Sequence, residues 1–220
     1  MSLHRLRASV VLAAGAVAYL LALRPRLLRW GATAQECDAP FVGADIISGG
    51  MRSATMATTL PASPAEVWPW IAQMGCGRAG WYSWDLIDNA GRPSARVIHP
   101  EWQHIAVGDR IAMTPSGRTS FVVAHCDAPH ALVLRARLDG RGRACDPTTP
   151  LPAVGLDYLW AVELRDAPDG GTRMVVSGYR VIRPFWLGRL GELLVGEAGH
   201  WVMQQRQFAN LSRRVRQTQR

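Results

Sequence analysis

The chain has 220 residues, 48% of them hydrophobic, and its 25 basic residues, all arginine, against 17 acidic ones give a formal charge of +8. That length supports one sizeable core and is too short for two comfortable domains. Residues 1–30 hold five arginines and residues 206–220 another five, with no acid in either, whereas the body between them has 15 arginines against 17 acids; a body without basic excess argues against a nucleic-acid groove, and the terminal clusters suit anionic lipid or, for the C-terminal one, a solvated helix end.

The run from Ala8 to Leu23 has 16 residues without a charge, roughly 24 Å as a helix and slightly short of a bilayer core. Arg7 and Arg24 can snorkel from its ends, and Tyr19 and Trp30 suit the interface. Residues 1–34 therefore read as a single-pass membrane anchor and linker, and residues 35–220 as the body. A signal peptide cleaved after Ala32-Thr33-Ala34, with the body exported, is the alternative; three arginines between the apolar run and that site count against it. Arg24, Arg26 and Arg29 outnumber Arg5 and Arg7, a small bias toward a cytoplasmic body.

"GATAQECDAPFVGADIISGG", residues 31–50, reads as an irregular linker, and "MRSATMATTL" as one first strand. "SPAE" then places Ser63 as N-cap, Pro64 at the first helical position and Glu66 at the capping-box position, so a helix starts there. Val67, Trp68, Ile71 and Met74 lie along it, and Pro69 bends it. In "MGCGRAGWYSWD", Gly75, Gly77 and Gly80 match G-x-G-x-x-G. That spacing binds a dinucleotide only between a strand and a helix; here a capped helix precedes it, so the glycines reverse the chain and no dinucleotide is expected. "WYSWDLIDNAG" reads as a second short helix bringing Trp81, Trp84 and Asp88 near one another.

From Ile105 the apolar period changes to two. "HIAVGDRIAM", "TSFVVAHC" and "HALVLRARL" read as three successive strands, the last with Leu132, Leu134, Ala136 and Leu138 on one face and Val133, Arg135 and Arg137 on the other. "DYLWAVELRDAPDGGTRMVVSGYRV" reads as a hairpin with Tyr158, Trp160, Val162 and Leu164 facing the same side as Met174 and Val176. Residues 185–216 carry apolar residues at three- and four-residue steps, including Leu187, Leu190, Leu194, Trp201 and Phe208, and read as one long helix. Cys37, Cys76, Cys126 and Cys145 have no C-x-x-C spacing, so no metal site is expected; an even count permits two disulfides or four thiols.

An antiparallel sheet with one apolar face and a single long apolar helix bury each other when the sheet curls around the helix, an α+β architecture. One helix cannot fill a wide concave sheet, so a cavity is expected. In "WGAT" at Trp30, "PASPAEVWPWIAQMGCGRAGWYSWD" at Pro61, "HPEWQHIAVGDRI" at His99 and "EAGHWVMQQRQ" at Glu197, the chain resembles the SRPBCC superfamily of helix-grip proteins, which includes START lipid-transfer domains and polyketide cyclase/dehydrase-like proteins. The resemblance covers residues 30–216. It implies a curved antiparallel sheet around a long C-terminal helix, two short helices after the first strand, and a cavity for a hydrophobic small molecule or lipid. It brings no catalytic residues and no cofactor.

Candidate ligand-contacting residues are Arg78, Trp81, Tyr82, Trp84, Asp85, Trp102, Tyr158, Trp160, His200 and Trp201. The aromatics suit an apolar pocket that orients a ligand, and equally serve as core. Arg78 is a headgroup donor or a lock for the glycine loop; Asp85 caps a turn, pairs with an arginine or presents a carboxylate; His200 is a structural histidine or a polar group in the cavity. Binding, transport or sequestration of a hydrophobic molecule is the expected function. The alternative is a cyclase, aromatase or dehydratase with His200, Asp85 or Tyr158 as acid or base, although no recognisable catalytic constellation is present.

Overall fold

The computed structural model describes residues 3–146, 149–191, 193 and 196–218. Helix α1 (Leu3–Ala18) passes through a π-helical turn, Tyr19–Leu23, into α2 (Arg24–Leu28). Ser9–Leu28 is long and apolar enough to cross a membrane, with mean hydropathy 1.6 and none of it buried. An apolar helix with no buried residue adds little to a core, and here, among the described residues, only its last, Leu28, packs against the body's main cluster.

After α2 the chain lies along the body: Thr55 N donates to Leu28 O and Ala57 N to Trp30 O, at 2.9 and 3.0 Å. The segment expected to be an irregular linker contains a capped helical turn, α3 (Ala34–Asp38), in which Glu36 N donates to Thr33 Oγ1 and Thr33 N to Glu36 Oε2, at 3.2 and 2.7 Å. Beyond it, Phe41 and Ile47 pack with Val133, Leu159 and Ala161 on the outer face of the sheet. A five-residue helix is too short to show a period, but its T-x-x-E capping box was present in the sequence.

The expected first strand is two strands, β1 (Met51–Arg52) and β2 (Met56–Leu60). There follow α4 (Pro64–Ala72), α5 (Asp85–Asp88), β3 (Arg110–Ala112), β4 (Ser120–Asp127), β5 (Ala131–Asp139), β6 (Gly155–Asp166), β7 (Thr172–Ser177), β8 (Tyr179–Arg183), α6 (Phe185–Gly191) and α7 (Glu197–Thr218). The eight strands form one antiparallel sheet in the order β1-β8-β6-β5-β4-β3, with β7 also paired to β6 and β2 to β7. One edge of β6 thus passes from β7 to β8 at Gly178, where a Cβ would stand 1.9 Å from Leu159 O. β1 pairs with β8 and β2 with β7, so the same change of partner splits the first strand.

Alternation then sorts the two faces. Leu132, Leu134 and Ala136 lie opposite Val162, Trp160 and Tyr158 on the inner face, each buried leucine stabilising the fold by about 2 kcal/mol. On the outer face Arg135 makes a two-pronged ion pair with Asp157, at 2.9 and 2.7 Å. A register shift between Val123 and His125 in β4 adds local bend. Helix α7 crosses the inner face with Phe208, Leu211 and Val215 in the main core, giving a helix-grip-like α+β fold. The stretch expected to be one helix is α-helical at Phe185–Gly191 and again from Glu197, with π-type bonding at residues 193 and 196 in its glycine-rich middle. Leu194 lies outside the described residues.

Candidate ligand-binding cavity

The C-terminal half of α7 is tied to the loop it covers. Gln207 Nε2 donates to Trp81 O and Asn210 Nδ2 to Tyr82 O, at 2.9 and 2.8 Å. Arg214 donates to Ala95 O and Ser94 O, and its guanidinium stands 4.7 Å from the centre of the Tyr82 ring. At the other end of the helix, buried Glu197 receives both prongs of Arg24, at 2.5 and 2.7 Å, with Arg180 3.9 Å away. Between these two attachments the helix does not fill the sheet.

The space left there is a cavity of about 290 Å³. Trp81, Phe121, Tyr158 and Trp160 line it, together with Met113 and Met203. The rings meet one another closely: Trp81 packs edge-on with Phe121 at 5.7 Å and with Trp160 at 6.0 Å between centroids. Polar groups enter as Ser83 from the loop before α5, Asp88 from α5, and His200, Gln204 and Gln207 from α7. A second lobe, also about 290 Å³, shares Met113, Tyr158 and His200 and extends to Leu28, Arg180 and Glu197.

Asp88 is 9% exposed, and the donors nearest its carboxyl, the Ser83 hydroxyl and its own backbone N–H, stand outside good hydrogen-bonding geometry. The Ser83 hydroxyl beside it donates to Met203 O at 3.1 Å. Burial first, and then the negative charge of Asp85, push the Asp88 carboxyl up to about 6. His200 moves the other way: burial, with Arg180 nearby, lowers it to about 4, so the imidazole is neutral at neutral pH. Gln204 donates to Gln207 Oε1 at 2.7 Å, which fixes the amide that faces the cavity.

Of the residues singled out in the sequence, the fold brings Trp81, Tyr158, Trp160 and His200 together in this cavity. The other six lie elsewhere. Arg78 donates to Ala72 O and Trp102 O, locking the glycine loop. That loop is closed by paired hydrogen bonds between Gly75 and Gly80, and at Gly80 (φ +77°) a Cβ would stand 2.4 Å from Ser94 Oγ. Tyr82 is fully buried in the left-handed region, at φ 59°, and its hydroxyl accepts from Gln73 Nε2 at 2.6 Å. Trp84 is 43% exposed beneath Arg206, Asp85 accepts from Ser94 Oγ, Trp102 lies 4.5 Å from His99, and Trp201 packs on Trp30.

The expected helix through "WYSWDLIDNAG" is shortened to Asp85–Asp88, because the backbone at Tyr82 turns left-handed. That turn separates Trp81, inside the cavity, from Trp84, on the surface. Phe121, Asp88, Met203, Gln204 and Gln207 also line the cavity and were not singled out in the sequence; the signal for Gln204 and Gln207 was an amide on each of two successive turns of the helix. On the opposite face of the sheet lies a hollow of about 520 Å³ bordered by Ile46, Arg110, Arg135 and Arg137. It is larger but has no aromatic wall among the described residues, and Arg135 is already engaged with Asp157.

No family model matches the chain, and no curated protein matches it. Among solved structures it is similar to a protein from Mesorhizobium loti, with 15% identity over 76% of this chain and 98% of that one and a TM-score of 0.45. A protein of unknown function from Staphylococcus aureus is 14% identical over 79% of this chain and 99% of that one, with a TM-score of 0.44. A protein from Arthrobacter aurescens is 14% identical over 76% and 86% of the respective chains, with a TM-score of 0.42.

Proposed function

We propose that the protein binds a hydrophobic small molecule or lipid fragment in the space between the sheet and α7, as a member of the helix-grip superfamily its sequence resembles, while residues 9–28 hold it at a membrane. The observation that carries this reading is the aromatic-walled cavity of about 290 Å³, near the lower bound of the ~300–1,000 Å³ usual for small-molecule sites. Its few polar groups, from α7 and from the segment 83–88 that faces it, suit a ligand with a polar group on an apolar body. The exposed apolar helix supports the membrane part, because Val11 and Leu21 are 70% and 76% exposed and gain nothing from water.

The test is chemical. The full chain is purified in nonionic detergent without added ligand, extracted into organic solvent and analysed by mass spectrometry beside Met203→Trp, whose indole fills the cavity. The expected result is an apolar species near one-to-one with wild type and depleted in the variant. Identical extracts from both proteins would overturn the reading.

A further inference from the structure

We infer that the ligand carries an ammonium group, protonated or quaternary, seated between the aromatic wall and the Asp88 carboxylate; this rests on the cavity's being a ligand site. The asymmetry of charge around the inner lobe points to it. Among the described residues Asp88 is its one carboxyl, 9% exposed, with the Ser83 hydroxyl and its own backbone N–H as the donors near it and no ion-pair partner. Among the described residues no arginine lines this lobe.

The charged groups packed nearby are committed elsewhere. Asp85, on the same helical turn, adds negative charge and is held by Ser94. From α7, Arg206 lies over the Trp84 ring and Arg214 over the Tyr82 ring, the latter with its donors on backbone carbonyls. His200, neutral at neutral pH, supplies no counter-charge, and Arg180 borders the second lobe beside Glu197. Above a pH of about 6 the site therefore holds a buried carboxylate without a cation. A carboxylate, phosphate or sulfate on the ligand would add a second negative charge beside a buried carboxylate, whereas an ammonium completes the missing pair.

The walls favour the same chemistry. Trp81, Trp160, Phe121 and Tyr158 surround the space, and aromatic ring faces attract cations while their bulk accepts the apolar remainder of the molecule. The ligand class is thus an amine on an aromatic or short aliphatic frame that fits about 290 Å³. A neutral alcohol of the same shape would keep the apolar contacts and lose the charge pairing.

The experiment compares 2-(1-naphthyl)ethylamine with 2-(1-naphthyl)ethanol by isothermal titration calorimetry at neutral pH. The protein is the full chain in nonionic detergent, as wild type and as the isosteric Asp88→Asn, with partition into empty micelles subtracted. The amine is expected to bind wild type about tenfold or more tighter than the alcohol, a preference lost in Asp88→Asn while alcohol affinity is kept. Wild type binding the alcohol as tightly as the amine would overturn the ammonium assignment and leave the cavity's ligand role standing. Binding of neither probe would overturn both.

Discussion

The two halves of α7 perform different tasks with the same secondary structure. From Phe208 to Val215 the helix is sealed: Phe208, Leu211 and Val215 are at most 5% exposed, and Asn210 and Arg214 satisfy backbone carbonyls of the loop beneath. From His200 to Gln204 it borders open space, with an orphaned carboxyl opposite and amides facing inward. One half fixes the helix in the grip and the other is left unfilled, so packing and open space are separated along a single element.

The comparison is broken most readily by truncation at equivalent depth. Leu211→Ala should cost about 3 kcal/mol in chemical unfolding of the full chain, because the leucine has no exposed surface. Met203→Ala, against the cavity, should cost less than about 1 kcal/mol, since it removes contacts that are already missing on one side. Equal losses would mean that the N-terminal half is packed too. Gly80→Ala, beneath the sealed half, should cost about 2 kcal/mol because it combines a left-handed backbone with a clash against Ser94, whereas Gly77→Ala, with nothing within 4 Å, meets only the backbone strain.

Asp88 sharpens the contrast through pH. Its folded pKa of about 6 lies above the ordinary 3.8, so the folded state binds the proton more tightly than the unfolded chain. Stability conferred by this group is present at low pH and is lost as pH rises from about 4 to about 6. Relative to wild type, Asp88→Asn should therefore gain about 1–2 kcal/mol between pH 4 and pH 7, read from denaturation midpoints across that range. A pH-independent difference would contradict the burial of an unpaired carboxyl. The smallest effect is expected at the surface: Trp84→Ala should change stability by about 0.5 kcal/mol and leave naphthyl probe binding intact, while Trp160→Ala should weaken that binding.

The sheet was legible because its face patterns are strict. The alternation in "HALVLRARL" and "DYLWAVELRD" assigned the inner residues correctly, and the Ser63–Glu66 capping box marked the start of α4. The cavity was half legible. Strand residues Tyr158 and Trp160 follow from alternation, and His200 from the helix, but the contacts from "WYSWDLID" depend on the left-handed turn at Tyr82, which no period announces. Trp84 and Asp85 were drawn inward by the helical reading, and Asp88, one turn further, is the carboxyl that the fold buries. The segment after α2 was opaque for another reason: its packing partners, Val133, Leu159 and Ala161, lie about a hundred residues away on the outer face.

Hydrogen–deuterium exchange tests the division of α7 most directly. The full chain in nonionic detergent is compared with and without saturating 2-(1-naphthyl)ethylamine. Slowed exchange confined to residues 81–88 and to 197–207 of α7, with 208–215 unchanged, is the predicted result. No protection in either segment, or protection only in the apolar N-terminal helix, would contradict the cavity as the binding site.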